Sequence, residues 1–234
     1  MDTAGGNVYH RKPADGVSAE AGFKETENYG RLEYSFSQLV QECGIEMTEC
    51  SLIEENGRAH FLTKRFDREN GKKVHMQTLC GLAHYDFRLQ RGYSYEQAFN
   101  VMRRLCLPYS QAQEMFRRIV FNVVMRNQDD HTKNISFLMN HNGQWRLAPA
   151  YDMGFAYNPL GAWTKTHQMS INGKFDNLTR KDLLECATSN NIKNANEIID
   201  QICEVAANWP RLAKDCGVPQ SMIDSIIPHL LLNL

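Results

Sequence analysis

A chain of 234 residues with 42% hydrophobic and 23% charged residues carries enough apolar content for one large domain or two small lobes, which excludes global disorder. Its formal net charge of −1 excludes a sequence-wide basic field for nucleic acid. No apolar run approaches the ~20 residues of a membrane span and the start MDTAGGNVYHRKPADG lacks a signal-peptide apolar stretch, so a cytoplasmic protein with no membrane partner is expected.

Residues 1–30 mix Gly, Pro and charged side chains without periodicity and are expected to be irregular. Leu32, Phe36, Leu39, Val40 and Cys43 follow helical spacing up to Gly44. Two β-rich runs, 48–54 and 59–66, flank Asn56-Gly57, a hairpin signal. Helices are expected to dominate thereafter. Ser94 with Gln97, and Ser110 with Gln113, match capping boxes, and the second is expected to open a long helix through Met115, Ile119 and Val123. Residues 135–139 and 144–147 read as a second hairpin. Thr179, Asn194 and Pro219 mark helix starts in a C-terminal bundle. The seven cysteines are scattered and never form a Cys-x-x-Cys pair, so they read as reduced, mostly core thiols.

The chemistry concentrates in Asn127-Gln128-Asp129-Asp130-His131-Thr132-Lys133-Asn134 and, beyond the second hairpin, Pro149-Ala150-Tyr151-Asp152. Phosphoryl transfer needs a carboxylate to orient the attacking hydroxyl and accept its proton, plus oxygen ligands that hold Mg²⁺ on the phosphates. Asp129 has the spacing for the first task. Asn134, five residues on, and Asp152, folded back by the hairpin, suit Mg²⁺ as one neutral and one charged oxygen donor. Lys133 is positioned to neutralise a transferring phosphate, and Asp130 and His131 to shape the loop. Competing readings are a solvated polar turn and a metal site built from Asp129, Asp130 and His131. The basic clusters around Lys64 and Lys72 read as solvated faces. Residues 153–175, with Phe155, Tyr157, Trp163 and Phe175, read either as a substrate-docking segment or as a surface loop packed by its aromatics.

Three blocks, Lys64-Arg65-Phe66-Asp67-Arg68, the 127–137 segment, and Leu147-Ala148-Pro149-Ala150-Tyr151-Asp152, together resemble the signature of HipA-like serine/threonine kinases, the toxins of bacterial type II toxin–antitoxin modules. The resemblance spans about residues 28–228. It implies an α+β, protein-kinase-like fold: a truncated small β lobe with its hinge over 31–75, and a mainly helical catalytic lobe over 76–234. It implies ATP and Mg²⁺ between the lobes, Asp129 as the catalytic residue, Asn134 and Asp152 as metal ligands, Lys64 and Phe66 on the adenine-binding hinge, and Asp67 near the ribose. It further implies a protein substrate such as glutamyl-tRNA synthetase, phosphorylated to halt translation. A HipB-like helix-turn-helix antitoxin is the implied partner, with DNA reached only through it.

Full-length relatives carry an additional N-terminal region with a Gly-rich phosphate loop and an ATP-contacting Lys. Thr3-Ala4-Gly5-Gly6 resembles a remnant of that loop. Lys12 is the candidate for the lysine and Glu33 for its ion-pair partner, although Pro13 fits poorly in a central strand. A short small lobe leaves three options: a kinase, a catalytically silent module that docks the antitoxin, or a small-molecule kinase sharing the loop chemistry.

Overall fold

The structure is a computed structural model that describes residues 3–4, 7–12, 28–55 and 58–234. The lead-in expected to be irregular contains two strands, β1 (Thr3–Ala4) and β2 (Asn7–Lys12). Their order comes from tertiary pairing and not from any periodicity of their own: β2 lies antiparallel to a strand some 50 residues later, with Lys12 opposite Phe61 and Tyr9 opposite Lys64. The strand ends at Lys12, and Pro13, expected to fit a central strand poorly, lies outside the described residues.

Helix α1 (Tyr29–Glu42) is followed by the hairpin β3 (Cys50–Glu55) and β4 (Arg58–Lys64), and the first sheet has the order β1-β2-β4-β3. The Asn56-Gly57 turn lies outside the described residues, but the register it sets, Glu55 opposite Arg58, is that of a two-residue loop. Helix α1 lies hard against this sheet. A Cβ at Gly30 would sit 2.1 Å from the Ala59 carbonyl oxygen, so only glycine lets the helix approach β4 so closely. On its other side α1 meets the C-terminal bundle, where Phe36 stacks on the fully buried Trp209 at 5.0 Å.

After β4 come the short ribbon β5 (Arg68–Glu69) and β6 (Lys72–Lys73), then β7 (His75–Thr78) and α2 (Leu79–Ala83). Strand β8 (Tyr93–Ser94) leads into α3 (Tyr95–Arg104), whose expected capping box forms: Ser94 Oγ accepts from Gln97 N at 3.2 Å, and Gln97 Oε1 accepts from Ser94 N at 2.8 Å. The second box does not form. Helix α4 (Tyr109–Val124) starts from Pro108, which places Ser110 inside the first turn instead of at the cap. Gln111 of that turn accepts instead from Leu147 N at 2.8 Å. Met115, Phe116, Ile119, Val120, Phe121, Val123 and Val124 of α4 are all fully buried, making it the axis of the core.

The hairpin β9 (Ser136–Met139) and β10 (Trp145–Leu147) extends β7 into a second sheet of order β10-β9-β7. Strand β11 (Met169–Ser170) pairs in parallel with β8. The chain closes with α5 (Arg180–Ser189), α6 (Ala195–Ala206), α7 (Trp209–Asp215) and α8 (Gln220–Ile226), the bundle that Thr179, Asn194 and Pro219 predicted as helix starts. All seven cysteines are free; Cys43, Cys50 and Cys186 are buried, whereas Cys106 is exposed. Among the described residues no helix is long and apolar enough to cross a membrane.

Candidate active site

A cleft of about 460 Å³ opens between α1 and β4 on one side and the loop after α4 on the other. Its wall includes Glu33, Phe61, Asn127, Asp129, Asn134 and Asp152. The three side chains singled out for phosphoryl transfer therefore share one cavity, although Asp129 and Asp152 are 23 positions apart.

Local hydrogen bonds explain the convergence. As α4 runs out, Asn127 N donates to Asn122 O at 2.9 Å. The chain then doubles back through His131 N to Asp129 O and Asn134 N to His131 O, both 2.9 Å. Asn134 Nδ2 also donates to Asp129 O at 2.9 Å, so the five-residue spacing brings Asn134 alongside Asp129. The β9–β10 hairpin carries the chain out and returns it, and Ala150 N docks on Glu46 O at 2.7 Å. Asp152 follows with φ +52°, a left-handed conformation that aspartate tolerates better than most residues. The buried Asn127 ties the two ends together: its Nδ2 donates to Asp152 O at 3.2 Å and to Asn122 Oδ1 at 2.9 Å.

The donor set suits Mg²⁺, which takes one or two protein oxygens and completes its shell with water and phosphate. Asn134 Nδ2 is engaged by Asp129 O, which leaves its amide oxygen as the ligand atom, and Asn134 and Asp152 line the same cleft. Asp129 has 52% of its side chain exposed at the mouth. Its carboxyl is held above the usual range by partial burial, with Asp130 and Asp152 adding to the rise while His131 and Lys133 oppose it. A raised carboxyl pKa suits a group that must take up a proton.

Lys64, Phe66, Asp67 and Lys133 are not among the described residues that line this cleft. Lys12 ends β2 opposite Phe61, whose side chain lines the cleft; the Lys12 side chain, and hence its pairing with Glu33, is outside the described residues. Lys64 N donates to Glu49 O at 2.9 Å, and Phe66 packs against Tyr151 with ring centroids 5.6 Å apart. Asp67 is gripped by Arg65 at 2.6 Å and Arg68 at 2.5 Å, and Arg65 first of all holds its carboxyl below the usual range. It borders a separate open groove with Lys73 and His75. Lys133 places its ammonium over the Phe87 ring at 3.6 Å, a cation–π contact that engages the group expected to face a phosphate. The metal site of Asp129, Asp130 and His131 is not assembled. Asp130 turns into the core, and among the described residues no three His, Cys, Asp or Glu side chains converge as metal ligands.

The sequence profile of the HipA-like C-terminal domain matches residues 12–209. The chain belongs to that family. Its HipA-like sequence is 28% identical over 134 residues to a protein of Haemophilus influenzae, and 24% identical over 126 residues to Y4mE of Sinorhizobium fredii, both named as kinases. These matches cover 51% and 50% of the chain but only 39% and 30% of the relatives. In structure it is similar to HipA of Shewanella oneidensis MR-1, solved with HipB and operator DNA, at TM-score 0.69 and 19% identity over 88% of this chain and 54% of that one. It is also similar to the Helicobacter pylori proinflammatory kinase CtkA, at TM-score 0.58 and 15% identity, covering 97% of this chain and 89% of that one. The HipA-like chain thus has an α+β, kinase-like fold.

Nothing in the sequence gives Asn127, Asn122, Tyr95 or His167 a task in the site. A buried asparagine in a polar loop looks the same in sequence as an exposed one. Its partner is 25 residues away in Asp152, and only folding reveals it.

Proposed function

We propose that this chain is a serine/threonine protein kinase of the HipA type that uses ATP and Mg²⁺. The observation that carries the proposal is the meeting of Asp129, Asn134 and Asp152 in one cleft of a kinase-like fold. Asp129, at the mouth, orients the acceptor hydroxyl and takes its proton. Asn134 and Asp152 are the side chains that would hold Mg²⁺, and the ion, when bound, offsets the phosphate charge. The apolar side chains of Phe61, Leu32 and Met47 line the same cleft and suit an adenine base. Lys12, in the strand beside Phe61, is the proposed phosphate contact.

By family likeness, the acceptor is a protein such as an aminoacyl-tRNA synthetase. The partner is a HipB-like antitoxin, since the similar Shewanella HipA was solved with HipB and operator DNA. A cytoplasmic setting follows from that pairing.

Titration calorimetry with Mg²⁺ and a non-hydrolysable ATP analogue is the direct test. The parent should bind and Asp152→Ala should not. Equal binding by the variant, or none by the parent, removes the assignment. Radiolabelled transfer to a sugar or aminoglycoside, with none to protein, would replace the protein acceptor by a small molecule.

A further inference from the structure

Asp129 is flanked on both sides by residues that hold down the segment following Asp152. On the N-terminal side, Asn127 and Ala156 form a parallel bridge. Gln128 N donates to Ala156 O at 3.2 Å, and Ala156 N donates to Arg126 O at 3.1 Å. On the C-terminal side, Asp130 Oδ1 accepts from Gln168 N at 2.8 Å. Asp130 Oδ2 faces His167 Nδ1 at 2.7 Å and accepts from the Tyr95 hydroxyl at 2.8 Å. Residues 157–166 are therefore fastened at both ends to the turn that carries Asp129.

The C-terminal fastening is deeply buried. The side chains of Asp130 and His167 are 1% and 2% exposed. A carboxylate in such a place costs several kcal/mol unless its oxygens are bonded, and here three donors meet it. Burial first, then the neighbouring carboxylate, holds the Tyr95 phenol far above its ordinary pKa, so it stays an O–H donor. Asn122 Nδ2 donates to the Tyr95 oxygen at 3.0 Å, and Asn122 Oδ1 accepts from Asn127. One chain of hydrogen bonds thus runs from His167 through Asp130, Tyr95, Asn122 and Asn127 to the Asp152 carbonyl.

The fastened loop is shaped to be presented outward. Asn158 N donates to Thr164 O at 3.2 Å, closing its neck, and Gln168 Nε2 donates to the carbonyls of Trp163 and Thr166. At its tip Leu160 is 95% exposed, and Trp163 is half exposed. We infer that Asp130 is a positioning residue: through His167 and the Gln168 amide it clamps loop 157–166 beside Asp129 as a fixed acceptor-side wall. The acceptor-side role rests on the kinase reading above, whereas the clamp is a property of the fold alone.

Two variants test it, Asp130→Asn and His167→Phe; the second keeps a ring in the slot and carries the comparison should the first fail to fold. Lys165 is exposed within the loop and offers trypsin a local site. Native-state cleavage after Lys165 should rise about tenfold or more in each variant, and by no more than about a further twofold in the double variant, since both remove the same link. In a Trp145→Phe background acrylamide quenching of Trp163 should rise in step, because Trp209 is fully buried. Affinity for Mg²⁺ and the ATP analogue should stay within about twofold of the parent in His167→Phe, since His167 is not among the residues that line the cleft. Parental cleavage and quenching in both variants, effects that multiply in the double variant, or cleavage that merely tracks global unfolding by circular dichroism would overturn the inference. A parent that binds no nucleotide sinks the kinase reading, but the cleavage data still judge the clamp.

Discussion

Replacing Asn127 by alanine removes a side chain that joins the end of α4 to Asp152. Asn127 is 3% exposed, and its amide donates to Asn122 Oδ1 and Asp152 O. Asn122 Oδ1 is buried and, once orphaned, costs about 1–3 kcal/mol, whereas the Asp152 carbonyl borders the cleft and regains water, so a total of about 2–3 kcal/mol follows. For a chain of this size each kcal/mol moves the melting midpoint by about 2–4 °C, which predicts a fall of about 5–10 °C in a thermal scan. The looser Asp152 should also weaken binding of Mg²⁺ with the ATP analogue by about tenfold, the equivalent of 1.4 kcal/mol of lost preorganisation. Asn127→Asp, which keeps the volume but turns a donor into a charge facing two acceptors, should be worse on both counts. A midpoint within about 1 °C of the parent's, well below the shift expected for one lost buried bond, together with unchanged affinity, would refute the cross-brace.

Gly30→Ala pushes a methyl to 2.1 Å from the Ala59 carbonyl oxygen, so α1 must retreat from β4; a loss of about 1–3 kcal/mol in urea unfolding is expected, with the cleft beside α1 widened. Asp129→Asn should reduce phosphoryl transfer at least about a hundredfold while leaving nucleotide binding intact. Because the Asp129 carboxyl is raised in the fold, its ionised form opposes folding above the unfolded value of about 3.9 and not below it. The same variant should therefore show a higher urea midpoint than the parent at neutral pH and no gain near pH 3, where both states are protonated. Asp182 has the opposite sign: burial pushes it up, but bonds from Lys174, Thr179 and Asn172 outweigh that and hold its carboxyl well below the usual range. Its contribution is complete above the unfolded value and fades as pH falls through the folded one, so the deficit of Asp182→Asn should shrink steadily in acid-unfolding scans below about pH 4.

Much of the helical lobe was legible because its signals are local. The apolar stripe of α4, the Ser94 box and the helix start at Thr179 depend on neighbours three or four residues away, so the chain itself states them. The second hairpin was legible in the same way, and with it the prospect that Asp152 returns toward Asp129. The Ser110 box failed because Pro108, two residues earlier, supplies a competing start for the helix.

Residue types and local periods determined which groups were available for chemistry: a carboxylate and an amide five residues apart, with a second carboxylate beyond a turn. Tertiary structure decided where they point. It gave order to β2 through β4, sent Asp130 inward to His167 and left Asp129 at the mouth, and laid Lys133 on Phe87. Adjacent residues such as Asp129 and Asp130 are chemically identical in sequence, and only burial and the donors supplied by distant segments separate a cleft-facing carboxylate from a buried structural one.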